Sequence, residues 1–310
     1  MSNKVYKDPV TGVETTGHVW DDTLMEFNNP LPMWWLWTFY ATVIFAIVYW
    51  TIYPSWPSGL TEKGYFIGTS EITYKNDEGK EVTTHWNTRA LLAYEMQNDE
   101  NELKRKKYLK EVAAMSFEAI AKDSDKSAFV RSYSKGIFGD YCAACHQTGG
   151  QGVIGRYPNL VDDAWLWGGD AADIQTTITN GRKGNMPAFA KTLSDPEITS
   201  IANFVLSLSG TEHEVAEATK GKVLFNGKAG CMACHTPAGT GLKALGSANL
   251  TDKIWTQANV PAAKDGKAKV EAVKAVIKSG IQREMPAWKT RLSEDEIKVL
   301  VSYLKLLAAK

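Results

Sequence analysis

Cys142-Ala143-Ala144-Cys145-His146 returns 89 residues later as Cys231-Met232-Ala233-Cys234-His235, and the rest of the chain is best read outward from this pair. Asn159-Leu160 and Trp165 return as Asn249-Leu250 and Trp255 at an offset of 90. Met186-Pro187-Ala188-Phe189 returns as Met285-Pro286-Ala287-Trp288, and Leu193 to Ile198 as Leu292 to Ile297, both at an offset of 99. The order is kept, and the growing offset places a Lys-rich insertion near Pro261 to Lys269 of the second copy. Such an internal repeat predicts two homologous domains, at 126–210 and 220–310, joined by a short polar linker at 211–219.

Each copy should end in a helix. Ser194 with Glu197, and Ser293 with Glu296, have capping-box spacing, in which hydroxyl and carboxylate satisfy orphan backbone donors reciprocally. Behind them, Ile198, Ile201, Val205 and Leu208 form one apolar stripe and Ile297, Leu300, Val301 and Leu304 another.

A C-x-x-C-H segment offers two thiols one helical turn apart with an imidazole directly behind them. That arrangement suits covalent haem attachment, the thiols forming thioethers and the histidine ligating iron. Cys142, Cys145, Cys231 and Cys234 are therefore the candidate attachment residues, and His146 and His235 the candidate proximal ligands. A redox C-x-x-C should open a helix after a strand in a βαβ context, which is not visible here. A four-cysteine zinc site prefers about 15 to 20 residues between its pairs, whereas a whole domain separates these. Two disulfides would leave both histidines unexplained. Met186 and Met285, each followed by proline and each just before a terminal helix, are the candidate sixth ligands. A thioether there favours reduced iron and raises the potential, as electron transfer requires. Spacing does not assign either methionine to either iron.

The remaining signals are weaker. Arg156 suits a haem propionate or the surface equally, and the Trp165 and Trp255 pair is expected beside the haems. His18, His85 and His213 read as surface residues. No nucleophile-base arrangement, phosphate loop or carboxylate metal cluster is visible, so the chain reads as moving electrons rather than transforming a substrate.

From Leu31 to Tyr53 there are 23 uncharged residues, which at ~1.5 Å per residue make a helix about 34 Å long. A bilayer core is about 30 Å thick, so this segment is a transmembrane anchor. Trp34, Trp35 and Trp37 crowd its start, and Trp50, Tyr53 and Trp56 close it, as amphipathic rings do at the two headgroup levels. The run starts too late and is too long for a cleaved signal peptide. Lys4 and Lys7 before it balance Lys63 and Lys75 after it, so the positive-inside rule does not orient the span. Residues 1–30 form a short segment with no domain of their own. In 54–125, past Pro54 and Pro57, a small hairpin is expected from Ile72-Thr73-Tyr74 and Val82-Thr83-Thr84 around Asn76 to Gly79. An amphipathic helix over 90–122 should follow, burying Leu109, Val112, Ala113, Phe117 and Ile120, with Lys104 to Lys107 on a solvated face.

Composition agrees. Over 310 residues, 35 Lys+Arg balance 35 Asp+Glu and 44% are hydrophobic, which is neither disordered nor a nucleic-acid-binding composition. Four cysteines are too few for a disulfide scaffold. The zero net charge is an average: 136–210 hold 4 Lys+Arg against 7 Asp+Glu, and 220–310 hold 16 against 7.

The C-x-x-C-H and Met-Pro motifs resemble those of class I cytochrome c domains. Asn28-Asn29-Pro30-Leu31-Pro32 followed by Trp34-Trp35-Leu36-Trp37 resembles the anchor of the dihaem cytochrome c subunit, CcoP, of cbb3-type cytochrome c oxidases. The resemblance implies an all-α fold apart from the hairpin: one N-terminal transmembrane helix and two class I cytochrome c domains, with two covalently bound haem c. It implies a bacterial inner-membrane protein with residues 1–30 cytoplasmic and the haem domains periplasmic. Its implied partners are a donor c-type cytochrome, a monohaem cytochrome c subunit and a haem-copper catalytic subunit that reduces oxygen and pumps protons. The competing readings are a free-standing dihaem carrier, a subunit of another respiratory oxidoreductase, and a tethered haem gas sensor, which would need an open iron. The basic second domain is expected to dock an acidic donor through lysines such as Lys264, Lys267 and Lys269.

Overall fold

A computed structural model describes residues 5–21, 23–52 and 71–308. Tyr53, Pro54, Trp56, Pro57, Lys63 and Lys4 lie outside the described residues. The chain divides into two compact units, Met1–Lys104 and Arg105–Lys310.

In the first unit an antiparallel hairpin, β1 (Thr15–Trp20) and β2 (Leu24–Phe27), precedes α1 (Met33–Ile52). Met33–Trp50 is long and apolar enough to cross a membrane, with mean hydropathy 1.4, and none of it is buried within the protein. Its polar groups are satisfied locally: the Thr38 and Thr42 hydroxyls donate to the Trp34 and Phe39 carbonyls at 2.9 and 2.7 Å. The expected hairpin is present as β3 (Glu71–Lys75) and β4 (Glu81–His85), paired from Glu71↔His85 to Lys75↔Glu81. Asn76 Oδ1 accepts from the Glu78 and Lys80 amides, closing the turn.

The single helix expected over 90–122 is instead three: α2 (Thr88–Asn98), α3 (Glu100–Ala113) and α4 (Phe117–Lys122). Asp99 Oδ1 accepts from the Asn101 and Glu102 amides, and Ser116 Oγ from the Ala119 amide. Each side chain caps a new helix, which the apolar period alone does not register. The predicted face still holds, with Leu109, Val112, Ala113 and Ile120 buried.

The second unit continues with α5 (Ser124–Tyr141), α6 (Ala143–His146), α7 (Ala171–Asn180), β5 (Arg182–Met186) and α8 (Asp195–Leu208). The second copy follows as α9 (Val215–Asn226), α10 (Met232–His235), α11 (Gly266–Ser279), β6 (Ile281–Met285) and α12 (Glu294–Ala308). The insertion runs into the first turn of α11, which has 14 residues against 10 in α7. The chain is thus mostly helical, but three two-stranded sheets depart from the all-α expectation.

The copies do not each close their own core. They exchange terminal helices. One core packs Val130 and Phe138 of α5 and Ile174 and Ile178 of α7 against Ile297, Leu300, Val301 and Leu304 of α12. The other packs Ile198, Ile201 and Val205 of α8 against Phe225 of α9 and Val273 and Ile277 of α11. The connection from α8 to α9 is short, so the two pair as neighbours. A Cβ on Gly221 of α9 would lie 1.9 Å from the Ser200 carbonyl oxygen, so only glycine permits this approach. Phe204 and Phe225 meet edge to face at 5.2 Å across the same contact. At the far end the Glu214 amide donates to Asn203 Oδ1 at 2.8 Å.

Between the copies, β5 and β6 pair antiparallel, from Arg182↔Met285 through Gly184↔Arg283 to Met186↔Ile281.

Charge follows the exchange. Lys274, with 8% of its side chain exposed, holds Asp195 at 3.0 Å and Glu271 at 2.8 Å, and Lys278 also pairs with Asp195. Lys228 holds Glu197 at 2.6 Å, Lys243 holds Asp173 at 2.5 Å and Lys269 holds Glu212 at 3.0 Å. Lys228, Lys243, Lys274 and Lys278 of the basic copy thus hold acids in the first turns of the acidic copy's α7 and α8. Lys269, expected at a docking surface, is engaged internally.

Lys228 and the Ser194 amide together hold the Glu197 carboxyl down at about 2, and Lys278 with Lys274 lowers Asp195. A depressed carboxylate contributes its stability above its ordinary pKa of 4.5 and loses it as pH falls toward 2. Thermal midpoints measured across that interval should therefore fall, and Lys228→Met should flatten the acid limb. A limb unchanged by that substitution would show that Glu197 does not carry it. The exchange itself is tested by Phe138 and Tyr303, whose rings lie 5.9 Å apart. A double-mutant cycle of Phe138→Leu with Tyr303→Leu should give a coupling of about 0.5–3 kcal/mol, whereas separated residues would add.

Candidate functional site

Both C-x-x-C-H segments form short helices and open on one continuous cavity of about 940 Å³. Its wall carries Cys142, Cys145, His146, Cys231, Cys234 and His235, with Met186 and Met285 among the opposing residues. All eight candidate residues thus border one space.

Each histidine is oriented in the same way. His146 Nδ1 lies 2.9 Å from the Pro158 carbonyl oxygen and His235 Nδ1 2.9 Å from that of Ala248. A carbonyl can only accept, so Nδ1 carries the proton and Nε2 keeps its lone pair. The Gly152 and Gly241 amides donate to the His146 and His235 carbonyls at 2.9 Å, tying each loop back to its helix. Burial lowers the pKa of both imidazoles, favouring the neutral form a metal ligand needs. Burial also pushes the Cys142 and Cys231 thiols up to about 11. Those are protonated thiols rather than redox thiolates, against a thioredoxin-type role. All four cysteines are free, and among the described residues no group of three or more His, Cys, Asp or Glu could hold a metal ion.

The methionines are brought in crosswise. Met285 packs against the core that holds Cys142, Leu160 and Trp165. Met186 packs against the core that holds Cys231, Leu250 and Trp255. Backbone bonds fix the crossing: the Trp288 amide donates to the Ile178 carbonyl at 3.0 Å, and the Phe189 amide to that of Ile277 at 3.1 Å. Gly181 and Gly280, at φ +70° and +65°, lie under the crossing loops. A Cβ on either would come within 2.4 Å of the Met285 carbonyl oxygen or 2.5 Å of the Met186 one.

Along the ribbon, Arg182, Gly184, Met186, Ile281, Arg283 and Met285 are half-buried, while Lys183, Asn185, Gln282 and Glu284 are exposed. The alternation aims two thioethers and two guanidiniums at the cavity. Arg182 Nε donates to Thr177 Oγ1 at 2.9 Å, and its head lies over the Trp167 ring at 4.8 Å. Arg283 Nη2 donates to Gln257 Oε1 at 2.8 Å, while its Nη1 is buried with no hydrogen-bond partner. An orphaned buried cation beside two oriented imidazoles and two thioethers fits a large anionic prosthetic group such as haem.

Arg182, Arg283, Gln257 and Trp167 were not singled out by sequence. Comparison of the copies filtered them out, because Arg283 aligns with Gly184 and Arg182 with Ile281. Arg156 does border the cavity but is exposed, and Trp165 and Trp255 both line it. His18 is exposed in β1, His85 is half-buried in β4, and His213 Nδ1 lies 2.7 Å from the Thr211 carbonyl oxygen.

Comparison with known proteins identifies relatives of this chain. Residues 12–59 match the family model described as the N-terminal domain of cytochrome oxidase-cbb3, FixP. Residues 134–205 and 216–304 match the one described as cytochrome c oxidase, cbb3-type, subunit III. The chain is 39% identical to the cbb3-type cytochrome c oxidase subunit FixP of Azorhizobium caulinodans, over 97% of this chain and 94% of that protein. It is 36% identical to subunit CcoP of Azospirillum sp. (strain B510), over 96% of each, and 33% identical to that of Cereibacter sphaeroides, over 98% of each.

Proposed function

The chain belongs to the FixP/CcoP family of cbb3-type cytochrome c oxidase subunits, and from that membership we propose that it is the membrane-anchored dihaem relay of such an oxidase. Two haem-binding units, 126–210 and 220–310, share the two exchanged cores, and of the expected linker 211–219 residues 215–219 belong to α9. Cys142 and Cys145 hold one haem c, and Cys231 and Cys234 the other. His146 and His235 are the proximal ligands. The sixth ligands are crossed: Met285 serves the His146 site and Met186 the His235 site. The observation that carries this reading is the ribbon, which delivers each methionine to the core of the other copy's C-x-x-C-H segment.

The haems supply reversible one-electron iron chemistry, and the protein sets its terms. Pro158 and Ala248 hold the imidazoles with Nε2 free. The thioethers of Met285 and Met186 would serve as the second iron ligands of the groups held here, and thioether ligation would favour reduced iron and disfavour gas binding. The largely apolar walls would limit solvent access around the groups and so tune their potentials.

On this reading α1 anchors the chain in the bacterial inner membrane, with residues 1–30 cytoplasmic and the haem units periplasmic. A donor c-type cytochrome supplies electrons. They pass, together with those of a monohaem cytochrome c subunit, to the haem-copper subunit that reduces oxygen and pumps protons. Lys264 and Lys267, exposed at the start of the insertion, are the docking lysines that remain for an acidic donor.

Purification in mild detergent should recover the haem-copper subunit with this chain, and reproducible isolation as a lone active carrier would refute the assignment. Crossed ligation is tested by carbon monoxide binding to the reduced protein. Met285→Ala should open one iron per chain. In a Cys231→Ala/Cys234→Ala chain, which keeps only the first haem, Met285→Ala should still open it and Met186→Ala should not.

A further inference from the structure

Gly184 and Arg283 face each other at the centre of the ribbon and occupy equivalent places in the two copies, 99 residues apart. The ribbon is therefore nearly symmetric in backbone and unsymmetric in charge. One copy projects a guanidinium where the other has no side chain. A guanidinium does not shed its proton, and a buried cation needs a counter-charge. Among the described residues no carboxylate forms an ion pair with Arg283. Glu284, on the exposed edge, pairs with Lys183 at 3.3 Å, and Asp252 Oδ1 in the cavity wall accepts the Ile254 amide at 2.9 Å. Arg182 is already engaged by Thr177 and Trp167. Of the two ribbon guanidiniums it is Arg283 that presents an unbonded buried donor, Nη1, with its fork steadied from the other side by Gln257. A guanidinium edge held in this way is shaped for a carboxylate. Carboxylates are what a haem brings to a cavity, as its propionates.

We propose that Arg283 is the propionate-holding residue of the shared cavity and that, standing opposite Gly184, it sets the two haems at unequal potentials. The inference rests on the dihaem reading above. Gln257 belongs to the loop that carries Asn249 and Trp255, so Arg283 acts chiefly on the haem held by Cys231 and Cys234. A fixed positive charge disfavours the oxidised iron, so it raises that potential. Gln257 is a positioning residue that keeps the fork turned inward.

The test uses the full-length chain in detergent, with haem content measured and both midpoint potentials titrated by visible absorption. Arg283→Gln should keep two haems per chain while lowering one midpoint more than the other. Arg283→Lys should recover most of that shift, and Gln257→Leu should lower the same midpoint by less. Unchanged midpoints in Arg283→Gln, or equal shifts of both, would overturn the proposal. If Arg283→Gln loses haem, the midpoints of Arg283→Lys and Gln257→Leu decide: an unequal downward shift in Gln257→Leu supports the proposal, and no shift in either refutes it. Fewer than two haems in the unsubstituted chain would count against the cofactor reading instead.

Discussion

The close packing of α8 on α9 is the constraint from which the second unit follows. With Gly221 pressed against the Ser200 carbonyl, the terminal helix of the first copy is committed to the second. The first copy is then left with an open apolar face on α5 and α7. α12, whose stripe matches that of α8, covers it together with α3 and α4. Strands β5 and β6 must consequently cross between the cores, and the methionines at their ends cross with them. The packing of α8 on α9 thereby goes together with which core each methionine packs against. The energies are large enough to enforce this, since deleting one buried leucine such as Leu300 from such a core costs about 2–5 kcal/mol.

The charge asymmetry acquires a different meaning in this frame. Read along the chain, a basic copy next to an acidic one suggests a docking face. In the folded unit, Lys228, Lys243, Lys274 and Lys278 reach acids at the N-terminal ends of α7 and α8. Exposed pairs contribute about 0–1 kcal/mol each. Lys274, with its side chain buried, is held by Glu271 of its own helix and by Asp195 of α8, so it is the cation whose second carboxylate depends on where α8 packs.

Much of this was legible in sequence. The repeat, the C-x-x-C-H and Met-Pro motifs, the capping residues, the hairpin around Asn76 and the apolar span all report local chemistry, and local chemistry is what a sequence states directly. The exchange was not legible, because Ile198 and Ile297 stripes look the same whichever core they enter. Gly221 was its only local trace, and a lone glycine in a helix is ambiguous. The splitting of 90–122 escaped because Asp99 and Ser116 act by capping, which competes with an otherwise continuous apolar period. The ribbon residues escaped for the opposite reason. Repeat comparison rewards what the copies share, and Arg283 matters because the copies differ there.

The crossing also makes the two sites interdependent. The His146 site is bounded by a helix that ends at Ala308, so its core is complete only when almost the whole chain is present. The His235 site needs α8, which precedes its own attachment segment by more than twenty residues. Neither copy can therefore close alone, and a disturbance at either methionine strand is felt across the shared ribbon. For a relay this has a physical advantage. Haems bound as proposed would both be tied to the ribbon of β5 and β6 and to the two exchanged cores beside it. The separate-domain alternative would leave their separation to a nine-residue linker, and a flexible linker holds no fixed distance.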